Sequence, residues 1–412
     1  MPPDKSFRFK SGVLLPAAVA ISLLGFFAYQ IRSPASVSQG GQRLPRYANQ
    51  VLAACKDADH KPSCYDREIP KLMDALSLEE AFQVTRLVQQ NDPNYFYCHV
   101  LGHELASRET ARDPARWKDV IPRCPSGMCS NGCLHGAFQE RFRAESLPDA
   151  EIAELRAELT GLCRTRPGWE PTGLERGTCY HALGHLAMYI TAADTRKSLR
   201  LCAEILGADG AGGYLPICQD GVFMQIFQPL EPEDFALVKK VGPKRQADLR
   251  PFCDSFAGEA RAACLRESWP LFAEAVRTPA GLVEFCRQVG EPVWERRCFT
   301  GMFYVLAAQF NFDENKIKAL CLGLPHERRS QCFSNSASRF IETDYRLIGK
   351  SLDFCSTAAA LGIGEDCYRE LLFYSTYNFH PGSPEFRRLC ESLPEPWQAR
   401  CLNREQVTDF PG

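Results

Sequence analysis

Five of the eight histidines in this chain follow a cysteine at closely matched spacing, and they are the residues best suited to chemistry. They lie in three similar segments, whose sequences are Cys98-His-Val-Leu-Gly-His-Glu, Cys133-Leu-His-Gly-Ala-Phe-Gln-Glu and Cys179-Tyr-His-Ala-Leu-Gly-His-Leu. A fourth segment, Cys218-Gln-Asp-Gly-Val-Phe-Met-Gln, continues the series with Asp220 in place of a histidine. The alignment predicts one shared polar site to which several segments contribute.

The spacing of these histidines is typical of metal ligands. His99 with His103, and His181 with His185, stand four residues apart, so each pair occupies one helix face about one turn apart. Such a pair commonly supplies two nitrogen ligands to one metal ion. His135, from the segment between the two pairs, completes the set. We therefore predict a transition-metal site that takes zinc, copper, iron or manganese.

Carboxylates beside the histidines extend this prediction to catalysis. Glu104 follows His103 directly, Glu140 occupies the equivalent place in the second segment, and Asp220 aligns with His135. Asp220 is thus a further candidate ligand, and Glu104 and Glu140 are candidates for the acid/base of a metal enzyme. Three imidazoles with an open position suit hydrolytic zinc, whereas an added carboxylate suits iron or manganese.

Two alternatives to a metal enzyme stay open. The protein could bind or deliver a metal without catalysis, or the histidines could form a structural layer in a scaffold that binds a protein or peptide. Glycines beside the histidines indicate close helix packing, which favours the structural alternative. Geometry adds an objection, because packed helices lie about 8–10 Å apart and a flat array would separate the first and third segments by nearly twice that. One shared ion requires tight curvature; without it there would be two sites, or one histidine pair would bind no metal.

Twenty cysteines indicate how the histidines are positioned. The second cysteine of each late pair recurs every 34 or 35 residues, a period that predicts an all-α solenoid of two-helix repeats. The period matches tetratricopeptide repeats, but their signature positions are missing, so the likeness is one of architecture only. Each predicted disulfide ties the end of the first helix of a repeat to the start of the second, and the pairs are Cys55–Cys64, Cys163–Cys179, Cys202–Cys218, Cys253–Cys264, Cys286–Cys298, Cys321–Cys332, Cys355–Cys367 and Cys390–Cys401.

Four cysteines near the first histidines do not follow this simple pattern. Cys98, Cys124, Cys129 and Cys133 should form two disulfides, and three connectivities are possible. Cys124 with Cys133 best matches the repeat, which leaves Cys98 with Cys129. The spacing of Cys129 and Cys133 is not that of a CxxC redox motif.

The even cysteine count indicates an oxidising compartment outside the cytoplasm, and the N-terminus agrees with it. Basic residues precede an uncharged stretch, which predicts a short cytoplasmic tail over 1–10 and a transmembrane signal anchor over 11–31. A cleaved signal peptide is the alternative. A polar linker over 32–46 then leads to histidine-rich repeats over 47–230 and to further disulfide-stapled repeats over 231–410. The absence of glycosylation sequons favours a bacterial periplasm.

Composition and motifs exclude several other function classes. The net charge of −2 leaves no electrostatic basis for binding nucleic acid, so the membrane and a protein or peptide are the expected partners. The sequence has no nucleophile elbow, phosphate-binding loop, dinucleotide fingerprint or haem-attachment motif. Function therefore depends on the histidines.

Overall fold

The computed structural model describes residues 37–125, 127–142, 146–207, 213–230 and 232–405. Within these ranges the regular structure is helical, and the sole β feature is an isolated bridge between Arg166 and Trp169. The all-α prediction is confirmed. None of the helices in these ranges is long and apolar enough to span a membrane, and the predicted span over 11–31 lies outside them.

Twenty-one α-helices make up the described chain. The first half contains α1 (Val37–Ala54), α2 (Lys61–Lys71), α3 (Leu78–Asn91), α4 (His99–Arg112), α5 (Trp117–Val120), α6 (Gly132–Phe142), α7 (Asp149–Thr160), α8 (Gly173–Ile190), α9 (Thr195–Leu206) and α10 (Tyr214–Phe227). The second half contains α11 (Pro232–Val238), α12 (Gln246–Cys253), α13 (Gly258–Glu267), α14 (Pro279–Arg287), α15 (Pro292–Gln309), α16 (Glu314–Gly323), α17 (His326–Thr343), α18 (Ile348–Ala360), α19 (Gly364–Asn378), α20 (Pro384–Ser392) and α21 (Trp397–Leu402). Helix α1 includes residues 37–46 of the segment that the sequence assigned to a linker.

Ten disulfides join these helices, and all twenty cysteines are paired. Each of the eight pairs predicted from the repeat is present. The remaining four cysteines pair as Cys124–Cys133 and Cys98–Cys129, the connectivity that the repeat favoured. Nine disulfides lie within a two-helix unit, whereas Cys98–Cys129 links the start of α4 to the turn before α6, 31 residues later.

The second cysteine of most units lies inside the second helix, not at its start as the sequence suggested. Cys179 and Cys298 are each the seventh residue of their helices, which begin at Gly173 and Pro292. The first turns of these helices are rich in glycine, proline and charge, so their composition resembled a loop. Proline is nevertheless well tolerated in the first turn, where the backbone N–H has no helical partner.

The second helices of successive units pack on one another in chain order, from α4 through α6, α8, α10, α13, α15 and α17 to α19. This is the repeat-like arrangement that the cysteine period predicted. The array also curves back on itself, because α19 contacts α8 and α17 contacts the 3-10 turn Cys129–Asn131. The ring of Phe312 meets that of Phe96 at 4.9 Å, edge to face, at the same junction. The curvature that a shared histidine site requires is therefore present.

Candidate metal centre

Close contacts between helices bring the histidine-bearing segments together. Helix α4 crosses α6 where Gly136 faces the carbonyl oxygen of His103, and a Cβ added at Gly136 would overlap that oxygen. Helices α8 and α10 also meet at a glycine, where Gly221 faces the carbonyl oxygen of His181 as Gly132 faces that of His99 between α4 and α6. Glycine permits the backbones to touch, so the histidine side chains beside these contacts project into a common space.

All five histidines meet in that space. The ring of His135 lies at the centre, with centroids 5.2 Å from His99 and 5.1 Å from His103. On its other side the rings of His181 and His185 lie 5.4 Å and 5.5 Å away. The objection from flat helix spacing therefore does not apply, because the glycine contacts and the curvature bring three helices around one ring.

Three of these imidazoles form a group with the spacing of a metal site. One ring nitrogen from each of His99, His103 and His135 lies within 4.8 Å of the others. The Nε2 atoms of His99 and His103 are 3.1 Å apart. Two nitrogens bound to one ion by bonds of about 2.0–2.1 Å lie about 2.9–3.4 Å apart for right-angled to tetrahedral geometry. The Nε2 atoms of the two histidines on α4 already have the separation of two ligands on one ion, and His135 approaches this pair from α6.

A backbone carbonyl orients the first ligand of this group. The Nδ1 atom of His99 lies 3.3 Å from the carbonyl oxygen of Cys129 and donates a hydrogen bond to it, which leaves Nε2 with its lone pair toward His103. Cys129 and Ser130 have φ of 51° and 47°, the left-handed region that non-glycine residues rarely adopt. Such strain is common at functional sites. Here the turn aims the carbonyl at the imidazole, and the Cys98–Cys129 disulfide holds it in place.

The second histidine pair is oriented in the same way. The Nε2 atoms of His181 and His185 are also 3.1 Å apart. His185 Nδ1 lies 2.6 Å from Oε1 of Gln225, while His181 hydrogen-bonds the backbone of Ile217. The thioether sulfur of Met224 lies 3.3 Å from Nε2 of His181. The pair therefore presents its Nε2 atoms to each other beside a soft sulfur.

The surroundings keep these imidazoles neutral. Burial lowers the pKa of His99 to about 4, with a further contribution from the positive charge of Arg339. Burial also lowers the pKa of His135 and His181 well below the usual histidine value, and the neighbouring imidazoles add to this effect. The pKa of His185 is lowered by burial although its bond to Gln225 opposes the shift. Neutral imidazole is the form that binds a metal ion.

A narrow cleft with about 30 Å³ of space for water reaches the histidine cluster. Its lining includes four of the five histidines, Met224 and a polar wall that the sequence did not indicate. In that wall Asp234, which is 5% exposed, accepts hydrogen bonds from Tyr189 Oη and, at 2.8 Å, from Gln225 Nε2. Asp234 thus connects through Gln225 to His185. It lies on the short helix α11, outside the aligned segments, and no spacing pattern in the sequence marks it.

The three carboxylates chosen from the sequence lie elsewhere. Glu104 forms an ion pair with Arg108 at 2.7 Å and is 43% exposed, and neither Glu104 nor Glu140 lines the cleft. Asp220 is paired with Arg266 in a separate charged cluster beneath the site. Among the described residues, Asp234 is the carboxylate that lines the cleft. Comparisons of the chain with protein-family models, with curated proteins and with solved structures find no significant match.

Proposed function

We propose that this protein binds a transition-metal ion through His99, His103 and His135. The observation that carries the proposal is the convergence of three imidazole nitrogens, from two helices, within 4.8 Å of one another. A structural role alone does not require this arrangement, because buried imidazoles normally satisfy each ring nitrogen with a separate partner. Within the described chain, His135 Nε2 is buried without a hydrogen-bond partner. A metal ion would supply the missing partner.

The donor set favours zinc or copper over the other two metals considered. Neutral imidazoles suit zinc and copper, whereas manganese prefers oxygen ligands and non-haem iron sites usually include a carboxylate. Asp220, the carboxylate aligned with the histidines, is paired with Arg266 and so does not supply one. Zinc with three histidines and one open position would polarise a bound water or carbonyl group.

The cleft supports a catalytic form of the proposal. A water molecule that enters it would meet both the metal ligands and Tyr189, which line the same cleft. Tyr189 donates to Asp234, so this pair replaces Glu104 and Glu140 as the candidate acid/base group. Replacing Asp234 by Asn would lower activity while leaving the metal at His99, His103 and His135 bound if the protein is an enzyme. A protein that only binds or delivers metal would show no such separation.

An interaction scaffold is the second candidate. The observation that favours it is the Nε2–Nε2 separation of 3.1 Å in each histidine pair, which an N–H···N hydrogen bond would also produce. In that case the histidines are a buried polar layer and the helical face binds a protein or peptide.

The location inferred for this function is outside the cytoplasm. Ten disulfides and no free cysteine are typical of an oxidising compartment. We propose that residues 11–31 anchor the chain in the membrane with the histidine-rich body in the periplasm, as the sequence predicts. Fractionation of cells that produce the full chain tests the anchor: the protein should stay with membranes after alkaline washing.

Elemental analysis tests the metal proposal directly. The full chain would be produced in an oxidising compartment and purified without a polyhistidine tag, beside the His103→Ala/His135→Ala variant. The wild type should carry zinc or copper near stoichiometry, and the variant should lose the ion bound at these residues. His326→Ala is the matched control, since His326 is exposed at the start of α17. Wild-type protein that refuses every tested metal would leave the scaffold as the remaining function.

A further inference from the structure

We propose a second metal site, formed by His181, His185 and Met224, beside the one at His99, His103 and His135. This inference rests on the proposed metal-binding function and assigns the remaining two histidines a separate ion. It follows from three observations: the geometry of the second pair, the internal duplication of the helix contacts and the position of His135 between the pairs.

The second pair reproduces the features that make the first pair a ligand set. Its Nε2 atoms lie 3.1 Å apart, as in the first pair. The Gln225 amide holds Nδ1 of His185, and the Ile217 backbone hydrogen-bonds the imidazole of His181. Such outer hydrogen bonds fix the tautomer that leaves Nε2 available to a metal. Met224 then places a thioether 3.3 Å from Nε2 of His181, which is also the separation of two ligands on one ion.

The two sites are halves of an internal duplication. Helices α4 and α6 meet through Gly132, which faces the carbonyl oxygen of His99, and α8 and α10 meet through Gly221, which faces that of the equivalent His181. In the first half the third ligand is His135, three residues after Gly132. The residue three positions after Gly221 is Met224, so the thioether takes the place that His135 has in the first half. Asp220, which the sequence aligns with His135, is bound by Arg266 instead.

This difference gives the two halves different metal preferences. The first half offers three imidazoles, a set suited to zinc and to copper in either oxidation state. The second offers two imidazoles and a thioether, and soft thioether ligands select copper(I). The structure therefore points to copper(I) as the ion of the second site.

A single ion shared by all five histidines does not fit the distances. Ligand atoms opposite each other on one ion are separated by at most about 4.2 Å when each bond is about 2.1 Å. In the part of the chain that the structure describes, the group of imidazole nitrogens that converges to within 4.8 Å comprises His99, His103 and His135. The second pair falls outside it, and the ring of His135 stands between the two pairs.

Stoichiometry tests this inference. Full-length wild type would be titrated with copper(I) under anaerobic conditions and, separately, with zinc, after removal of any bound metal. We expect two equivalents of copper(I), reduced to one in the His181→Ala/His185→Ala variant and to one in the His103→Ala/His135→Ala variant. Zinc should bind at one equivalent, and the His181→Ala/His185→Ala variant should retain it.

Met224→Leu identifies the sulfur ligand. Loss of the thioether should raise the copper(I) dissociation constant of one equivalent by on the order of tenfold or more, because loss of an outer-shell partner alone costs at least that much. X-ray absorption of the copper(I)-loaded wild type should show a sulfur neighbour that Met224→Leu lacks. Met302→Leu is the control, since Met302 is buried in α15 away from the histidines. Zinc binding at the first site should not change in either variant.

The outcomes separate this inference from the proposed function. If the wild type binds one equivalent and either double variant abolishes it, one centre uses both pairs, and the second site does not exist although the metal function stands. If two equivalents bind but Met224→Leu changes neither affinity nor spectrum, the assignment of Met224 is overturned. If no metal binds, both the proposed function and this inference fall.

Discussion

Gly136 is the residue whose replacement most directly tests how the metal centre is built. A Cβ at this position would overlap the carbonyl oxygen of His103, so Gly136→Ala forces α4 and α6 apart by on the order of 1 Å before ordinary contact is restored. His135 is the adjacent residue, and its ring would move away from His99 and His103. The change alters no ligand and affects only the distance between the two helices.

Two opposing terms set the effect on stability. Alanine in place of glycine inside a helix stabilises by about 1 kcal/mol, whereas overpacking of a close contact typically costs about 1–3 kcal/mol. We expect Gly136→Ala to lower the free energy of unfolding by up to about 2 kcal/mol. Metal affinity should fall further, by on the order of 10–100-fold, as happens when support for one ligand is lost.

Chemical denaturation and competition with a chromophoric chelator measure these two effects. Gly349→Ala is the matched control, because Gly349 is exposed in α18 and a Cβ there meets nothing within 4 Å. The control should be slightly more stable than wild type and bind metal equally well. If Gly136→Ala matched this control in both stability and metal affinity, the helix contact would not be what positions the histidines.

The remaining predictions concern pH and the disulfides. Burial raises the pKa of Glu370 from 4.5 to about 7, so the folded protein keeps a proton that the unfolded chain loses, and the free energy of unfolding should fall as pH rises from about 4.5 to about 7. Glu370→Gln should remove up to about 3 kcal/mol of this decline. In denaturant titrations the variant should therefore be more stable than the wild type at pH 8 but not at pH 4. Replacing both Cys321 and Cys332 by Ser, which opens a loop with a sequence separation of 11, should cost about 3 kcal/mol and leave metal affinity unchanged. Replacing Cys98 and Cys129 should weaken both stability and metal binding, and equal metal affinity in the two disulfide variants would contradict the role given to the Cys129 carbonyl.

Much of the fold could be predicted because its signals are local and repeated. The disulfide pairing could be predicted from the spacing of the cysteines, because a disulfide recurs in each repeat of similar length. Another local signal is the capping box of Ser77 and Glu80, which begins α3. The starts of the second helices were harder to locate, because first turns built from proline and charged residues have the composition of loops.

The candidate site was only partly predictable because its geometry depends on contacts between distant segments. Spacing selected the five histidines, but the alignment that selected Asp220 could not show that Arg266, 46 residues later, binds its carboxylate. Asp234 belongs to no motif and reaches the cleft only because α11 folds against it. A residue's position in a repeat predicts where its backbone lies, whereas its partner depends on the neighbouring unit.

The glycines beside the histidines have a different meaning from the one that the sequence suggested. In the sequence, Gly136 and Gly221 favoured a structural role for the neighbouring histidines, because close helix packing alone could explain why the glycines and histidines recur together in the repeat. In the fold, close packing is what brings the ligands together. Because the backbones touch at the glycines, the ring of His135 comes within about 5 Å of rings from both flanking pairs. The contact of Gly132 with the His99 carbonyl recurs as that of Gly221 with the His181 carbonyl, and the residue three positions after each glycine is His135 in the first half and Met224 in the second. The same packing rule thus accounts for both the shared scaffold and the chemical difference between its two halves.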